Sequence, residues 1–266
     1  MKIPIYQVDA FTSEVFSGNP AAVCILESWI DDKYLQSIAA ENNLSETAFL
    51  VQNDYGFDLR WFTPVTEVPL CGHATLASAF VLFANRQWPA DTIRFETRKS
   101  GQLVVTRRDD LLDMDFPARA ACDQASPAGL NEALGVTPEI VFGFKPKGDR
   151  IVVMAVLSSE NAVRGVQPDF GALSRVECRG AIITAKGDRS DFVSRYFAPR
   201  VGIAEDPVTG SAHCLLVPYW ASVLGKNVLH AFQVSKRGGE LFCRNAGERV
   251  RISGRAALYM EGMITI

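Results

Sequence analysis

A thiol and an imidazole flank a single glycine in the N-terminal half of the chain. Cys71-Gly72-His73 leads directly into a run from Ala74 to Ala84 that contains no charged residue. As a helix, such a run must be buried on every side. The first backbone N–H groups of that helix then face the protein interior, where they and the helix dipole favour an anionic group. We interpret the turn as a binding site, in which Gly72 lets the backbone approach a ligand closely.

The same arrangement occurs again in the C-terminal half. Asp206-Pro207-Val208-Thr209-Gly210-Ser211 precedes a second apolar run, which ends at Leu224-Gly225 and contains Pro218, where we expect a kink. The segments before and after the two runs also match in order: Arg60-Trp61-Phe62-Thr63-Pro64 with Arg195-Tyr196-Phe197-Ala198-Pro199, and Thr97–Leu103 with Ser235–Leu241. Because the matching segments lie about half a chain apart, they indicate an internal duplication.

Two acidic residues stand out as candidates for chemistry. Glu46 interrupts an apolar, strand-like stretch, and alternation places it on the same face as Ala48 and Leu50. If that is the core face, a carboxylate points inward and needs a partner or a function. The alternatives are an exposed acid at a strand start for Glu46 and a simple helix cap for Asp206.

Other polar residues have ordinary explanations. Glu41 and Glu67 lie in contexts typical of solvated carboxylates, and His213 and Cys214 fall inside the second apolar run, where packing explains them. Without its neighbours, Cys71 would be explained as a small, buried, apolar side chain.

Composition and charge exclude several classes of protein. The 266 residues are 48% hydrophobic and 21% charged, with a net charge of −3 and no long basic cluster, which argues against nucleic-acid binding. No uncharged run reaches membrane length, and no signal peptide is expected. The six cysteines and three histidines show no metal-ligand spacing, which is typical of a reduced, cytoplasmic protein without a metal site.

The pattern of elements predicts an α+β protein with two similar lobes. Each half combines many strands with one wholly apolar helix, so the strands must wrap around that helix. We place the N-terminal lobe at 1–117, to which the last strand can return, and the C-terminal lobe at 118–266, with a linker over 117–127. In the second lobe we expect helices over 127–134 and 168–176, a turn over 145–149, and strands over 232–234, 256–260 and 263–266.

Six short segments carry a more specific signal: Asp9-Ala10-Phe11-Thr12, Gly18-Asn19-Pro20-Ala21, Ser45-Glu46-Thr47-Ala48-Phe49, Phe62-Thr63-Pro64, Glu67–Thr75 and Glu205–Ala212. Together, and in this order over the whole chain, they resemble the phenazine-biosynthesis PhzF-like family, which shares the fold of diaminopimelate epimerase. That resemblance implies two lobes, each an antiparallel β barrel around a central helix, with the active site in the cleft between them. It also implies a homodimer.

The resemblance further implies a cofactor-independent isomerase that moves a proton along a small carboxylate-bearing substrate. By the family pattern, the site residues fall into three groups: Glu46 as general acid/base, His73 and Asp206 holding and polarising the substrate, and Asn19, Cys71, Gly72, Gly210 and Ser211 binding it. A carboxylate with a pKa of about 4.3 works poorly near neutral pH, so we expect burial to raise the pKa of Glu46 toward about 6–7.

Two other functions remain open at this point. A two-thiol racemase or epimerase would use Cys71 on one face of an α-carbon, but the duplicated position holds Thr209 rather than a second cysteine. A non-catalytic protein that binds small carboxylates would keep the same residues without turnover. The segment between Pro117 and Ile151 is short for the family, so the substrate need not be the phenazine precursor.

Overall fold

The computed structural model describes residues 1–85, 87–145 and 150–266. Residues 146–149 of the predicted turn lie outside this part. The chain forms two compact units, one of Met1–Asp115 with Ser253–Ile266 and one of Phe116–Ile252. None of the helices in the described ranges is long and apolar enough to cross a membrane.

The first unit consists of strands around two helices. Its elements in chain order are β1 (Lys2–Ala10), β2 (Asn19–Leu26), α1 (Asp32–Asn42), β3 (Glu46–Asn53), β4 (Gly56–Phe62), β5 (Glu67–Val68), α2 (Gly72–Ala84), β6 (Thr92–Thr97), β7 (Gly101–Arg108) and β8 (Leu111–Pro117), together with the last strand, β18 (Ala256–Thr265).

The sheet of the first unit is mixed rather than wholly antiparallel. Strand β1 pairs antiparallel with β2 and with β18, and β3 pairs antiparallel with β4. Strands β2 and β3 are parallel to each other, as are β4 and β6. Helix α2 packs against β1, β2 and β3, and ten of its thirteen residues are buried. The uncharged run therefore forms the buried helix that the sequence predicted.

Helix α1 covers the other face of this sheet. Leu35, Ile38 and Ala39 form its buried stripe and pack with strand residues that include Phe49 and Phe62. The Asp31 side chain caps the helix by accepting a hydrogen bond from Lys33 N. Even-numbered residues of β3 consequently face α2, and odd-numbered residues face α1.

The second unit repeats this plan. Its elements are β9 (Cys122–Asp123), α3 (Leu130–Leu134), β10 (Ile140–Phe144), β11 (Val152–Val156), α4 (Glu160–Gly165), α5 (Phe170–Arg175), β12 (Gly180–Lys186), β13 (Phe192–Ala198), β14 (Ile203–Asp206), α6 (Gly210–Leu224), β15 (Val228–Gln233), β16 (Gly239–Ala246) and β17 (Arg249–Gly254).

Strand pairing makes the duplication explicit. Strands β10 to β15 pair in the same order and senses as β1 to β6, with parallel pairs at β11–β12 and β13–β15. Helix α6 takes the place of α2. It continues through Pro218, and the carbonyl of Cys214, which lacks a helical donor there, accepts a hydrogen bond of 2.9 Å from Arg119 N. The α+β class with two similar lobes is confirmed.

Some predicted boundaries were wrong. Helix α4 was not predicted, and β15 begins at Val228 rather than 232 because buried Gln233 occupies an inward position and hides the alternation. The strands predicted over 256–260 and 263–266 are one strand, β18, because its pairing with β1 is uninterrupted across Gly262, and the register shifts only between Met260 and Leu258. This last strand pairs with β1 and lies in the first unit, to which the sequence analysis allowed it to return.

Candidate active site

Glu46 begins β3 on the face that packs against α2. Ala48 and Leu50, which follow it at intervals of two, are completely buried, and Glu46 lies opposite Ala21 of the parallel strand β2. Its side chain is 13% exposed. The strand therefore directs a carboxylate toward the interior, as the alternation in the sequence indicated.

His73 lies in the first turn of α2 and contacts this carboxylate. Its Nε2 is 3.2 Å from Glu46 Oε2, while its Nδ1 is 3.2 Å from Asn19 Nδ2 and 3.5 Å from Cys71 Sγ. The contact with Glu46 is close but poorly aligned, since neither Glu46 Oε2 nor His73 Nε2 has a hydrogen-bond partner among the described residues. Four of the predicted site residues, Asn19, Glu46, Cys71 and His73, thus form one buried cluster.

The charges of the cluster are set by mutual interaction. Burial disfavours the ionised Glu46, but the positive charge of His73 and polar contacts with His73 and Cys71 outweigh it and hold the pKa of Glu46 below its ordinary value. Burial likewise disfavours a charged His73, yet the neighbouring Cys71 and Glu46 raise its pKa well above 6.5. Our expectation that burial raises the pKa of Glu46 was wrong, because His73 provides a compensating charge.

Cys71 is a neutral thiol near pH 7. Burial, reinforced by the negative charge of Glu46, raises the pKa of Cys71 to about 11. The carboxylate of Glu46 is therefore the charge that keeps His73 protonated at this pH. An imidazolium donates from both nitrogens, so the Asn19 amide must turn its oxygen toward Nδ1 when His73 is charged.

Glu46, Cys71 and His73 also bring three potential metal-ligand atoms within 4.8 Å of one another. The spacing of cysteines and histidines in the sequence did not predict this group, because Glu46 reaches it from a separate strand. A carboxylate, a thiol and an imidazole are donors that suit zinc. Two of these residues, Glu46 and His73, form the ion pair described above, and Cys71 is the neutral thiol beside it.

The first turn of α2 has no side-chain cap for its backbone N–H groups. Its N-cap residue is Cys71, whose side chain makes no capping hydrogen bond, and Gly72 is the first helical residue. Thr75 Oγ1 donates to Cys71 O over 2.6 Å, which fixes the turn from inside the helix. Backbone donors of a first turn without a side-chain cap are suited to an anionic group.

The second unit builds a different helix start. Thr209 Oγ1 donates to Asp206 Oδ2 over 2.6 Å, and Gln233 Nε2 donates to Asp206 O over 2.7 Å. Gln233 Oε1 accepts from Thr209 N over 2.8 Å. Gly210, the first residue of α6, is buried, whereas Ser211 is exposed. The structure thus places Asp206, Gly210 and Ser211 together at the start of α6.

Two residues that hold these turns were not recognised from the sequence, Gln233 and Glu67. Gln233 is completely buried and makes three hydrogen bonds around the 206–209 loop, and no motif in the sequence indicated this. Glu67 is not a solvated acid: it binds the buried Arg60 through bonds of 2.7 and 3.0 Å. The matching Arg60 and Arg195 phrases were a signal that could have revealed the second of these roles.

The chain is similar to known proteins over almost its whole length. The profile of the PhzC-PhzF family, described as phenazine biosynthesis-like protein, matches residues 8–262. Two curated proteins of Pseudomonas aeruginosa, each named an uncharacterized isomerase, are similar over almost the whole chain. One is 51% identical over 266 residues and covers 100% of both chains, and the other is 53% identical over 264 residues and covers 99% of both.

A solved structure extends the similarity to three dimensions. The crystal structure of a PhzF-family phenazine biosynthesis protein from Enterococcus faecalis is similar with a TM-score of 0.95 and 44% sequence identity, and each chain is covered completely.

Proposed function

This chain belongs to the phenazine biosynthesis-like PhzF family and is an isomerase, and we propose that it moves a proton between carbon atoms of a small carboxylate-bearing substrate with Glu46 as its acid/base. The family resemblance read from the sequence motifs is confirmed. The observation that carries the proposal is the contact of 3.2 Å between buried Glu46 and His73 at the first turn of α2.

Glu46 enters the reaction as a base. Because His73 keeps the carboxylate ionised, Glu46 can accept a proton from a substrate carbon and become a neutral acid beside a cation. That neutral acid is a strong donor, since the charge of His73 favours its ionisation again. It then returns the proton to another carbon of the same substrate face, which completes a 1,n-proton shift without a cofactor.

The same charge restricts the substrate. A carboxylate whose pKa lies below its ordinary value is a weak base, so it needs a carbon acid already activated by conjugation. The first turn of α2 supplies what such a substrate requires, because its backbone donors and dipole stabilise negative charge that develops during the reaction. An unsaturated acid therefore suits this site better as a substrate than an unactivated amino acid does.

The remaining predicted roles follow the family pattern. His73 and Asp206 hold and polarise the substrate, and Asn19, Cys71, Gly72, Gly210 and Ser211 bind it. Within the first unit, Asn19 and Cys71 act through Nδ1 of His73. A two-thiol racemase is the less favoured alternative, because the pKa of Cys71 lies at about 11 and leaves little thiolate near pH 7.

Proton exchange in D2O followed by NMR tests the proposal on a panel of cyclic and linear unsaturated amino and hydroxy acids. We expect wild type to introduce deuterium at a carbon of at least one compound, and Glu46→Gln to lose about 10³-fold of that rate. Exposed Glu41 provides the matched control, since Glu41→Gln removes the same charge at a site away from this cluster.

Two outcomes contradict the proposal. Exchange that survives Glu46→Gln but disappears with Cys71→Ser identifies a thiol as the base and supports the racemase. Compounds that bind wild type and Glu46→Gln equally, with no exchange in either, indicate a binding protein.

A further inference from the structure

Trp61 differs from the other tryptophans of this chain. Each of the other three indole N–H groups donates a hydrogen bond. Trp29 donates to Asp58 Oδ2 over 3.4 Å, Trp88 to Thr92 O over 3.1 Å, and Trp220 to Thr184 Oγ1 over 2.9 Å. Trp61 is 2% exposed, and its Nε1 is shielded from solvent without a hydrogen-bond partner among the described residues. Buried indole N–H groups usually have partners, so this one requires an explanation.

The strand register places Trp61 beside Glu46. Trp61 of β4 lies opposite Ala48 of β3, and residues opposite each other share a face of the sheet. Glu46 precedes Ala48 by two positions, so it shares that face and is the diagonal neighbour of Trp61. Diagonal neighbours are about 7–8 Å apart, within reach of an aromatic side chain. Trp61 also pairs with Val68 of β5, the strand that leads to the first turn of α2.

Three shielded polar atoms therefore lie at this end of the sheet. Trp61 Nε1 has no hydrogen-bond partner among the described residues, and His73 Nε2 and Glu46 Oε2 form an ion pair of 3.2 Å that lacks hydrogen-bond alignment. Two of them are donors when His73 is charged, and the third is the proposed base. The indole N–H, which has no partner, is costly to bury unless a polar group of a ligand accepts a hydrogen bond from it. The donors favour an oxygen anion, and the first turn of α2 adds to that preference.

We propose that the Trp61 indole N–H donates a hydrogen bond to a carboxylate oxygen of the ligand that binds at the first turn of α2. This inference rests on the proposed function, since it concerns the same site. It assigns Trp61 as a binding residue that orients the substrate relative to Glu46. A small carboxylate with an apolar, unsaturated body is the class of ligand that an indole ring and its N–H recognise together.

The residue equivalent to Trp61 in the second unit has a partner for its polar atom. Tyr196 occupies the position of Trp61 there, and its hydroxyl has a hydrogen bond with Arg179. The polar atom at this position is thus satisfied internally in one unit and left for a ligand in the other.

The indole resonances of the ¹⁵N-labelled full chain test this directly. Acetate, benzoate and anthranilate serve as probes, and each of the four tryptophans contributes one indole N–H peak. We expect the Trp61 peak to move downfield saturably with at least one probe, while the peaks of Trp88 and Trp220 stay in place. Trp61→Phe should weaken the affinity for that probe at least about tenfold, and Trp88→Phe should leave it unchanged.

The outcomes separate this inference from the proposed function. If backbone peaks of Gly72 and His73 move while the Trp61 indole does not, the role of Trp61 is overturned and the carboxylate site stands. If neither set moves with any of the three probes, both are overturned. Should Trp61→Phe fail to fold, the wild-type titration decides alone.

Discussion

In the first unit Arg60 of β4 binds Glu67 of β5 through hydrogen bonds of 2.7 and 3.0 Å, and in the second unit Arg195 of β13 binds Glu205 of β14 through bonds of the same two lengths. Both arginines are buried. Arg60 adds a second carboxylate, Asp32, whereas Arg195 adds two backbone carbonyls. The duplicated chain has kept this ion pair as a fixed part of each helix start.

Two smaller contacts repeat in the same way. Ser100 Oγ donates to Pro69 O over 2.7 Å, and Ser235 Oγ donates to Pro207 O over 2.8 Å. Inside the helices, the side chains of Thr75 and His213 each contact the carbonyl of the N-cap residue four positions earlier. The backbone of the two helix starts is thus held by equivalent bonds, although the side chains differ.

The two units differ in the side chains that could carry out chemistry at these helix starts. Glu46 begins β3 and Gly180 begins β12 at the equivalent register position, since each lies two residues before the residue opposite Trp61 or Tyr196. A Cβ atom at Gly180 would lie 2.5 Å from the Tyr196 hydroxyl, so Tyr196 fills that space. Where the first unit has buried His73, the second has exposed Ser211. The two units therefore share a backbone arrangement, but Gly180 and Ser211 stand in the second unit where the first has Glu46 and His73, so the buried acid/base pair is not repeated there.

The largest expected effect comes from breaking the shared ion pair. Arg195→Met should lower the free energy of unfolding by about 3–5 kcal/mol, because it leaves the largely buried carboxylate of Glu205 without this arginine. Arg60→Met should cost somewhat less, because Arg98 Nη1 remains 3.8 Å from Glu67 Oε2. Urea-induced unfolding of the two variants and wild type measures this. Arg107→Met is the control: its partner Asp91 is 76% exposed, so a loss under about 1 kcal/mol is expected. A large loss in one unit and none in the other would show that the scaffold is not shared.

The two helix histidines should respond to pH in opposite directions. Burial lowers the pKa of His213 to about 4, although its contact with Thr209 O acts the other way. Its neutral form is therefore favoured by folding, and stability falls by up to about 3 kcal/mol as pH drops from 6.5 to 4, where the unfolded chain binds the proton first. For His73, whose pKa is raised, the stabilisation is complete below pH 6.5 and is lost as pH rises through its folded value.

His213→Thr sharpens this comparison, because it installs the residue type found at Thr75. The variant should lose packing against Phe192 at pH 7 but show a smaller fall in unfolding free energy between pH 6.5 and 4 than wild type. Urea unfolding at several pH values measures both slopes. Equal slopes would mean that His213 is not the group that titrates.

What the sequence could predict depended on how locally each feature is encoded. The absence of charge over the runs after Gly72 and Gly210 predicted both buried helices, and the alternation around Glu46 predicted its inward position. The contact of Glu46 with His73 depends on packing between β3 and α2, so no sequence spacing reveals it. The pKa of Glu46 then depends on the charge of His73 at this contact, which is why the expectation from burial alone had the wrong sign.

An intermediate effect should distinguish the two loops before the helices. Gln233→Met removes a completely buried amide that holds Asp206 O and Thr209 N, and should cost about 2 kcal/mol because both groups lose a partner. Thr97 occupies the equivalent strand position and bonds only within its own hairpin, to Gly101 O and Ser100 N. Thr97→Val should therefore cost under about 1 kcal/mol. Equal losses in urea unfolding would contradict a special role for Gln233.

The smallest effect concerns the serine that binds the proline carbonyl in each unit. Ser100→Ala removes one hydrogen bond and Ser235→Ala removes two, because Gly238 N also donates to Ser235 Oγ over 3.1 Å. Each lost bond should cost about 1 kcal/mol or less. The contact of Ser235 is partly buried and that of Ser100 is exposed, so water replaces the lost bond more easily at Pro69 than at Pro207. Ser235→Ala should thus be the more damaging of the two in thermal unfolding. If Ser100→Ala costs more, the loop before α2 depends on this bond more strongly than its exposure indicates, and the two helix starts differ in their scaffold as well as in their chemistry.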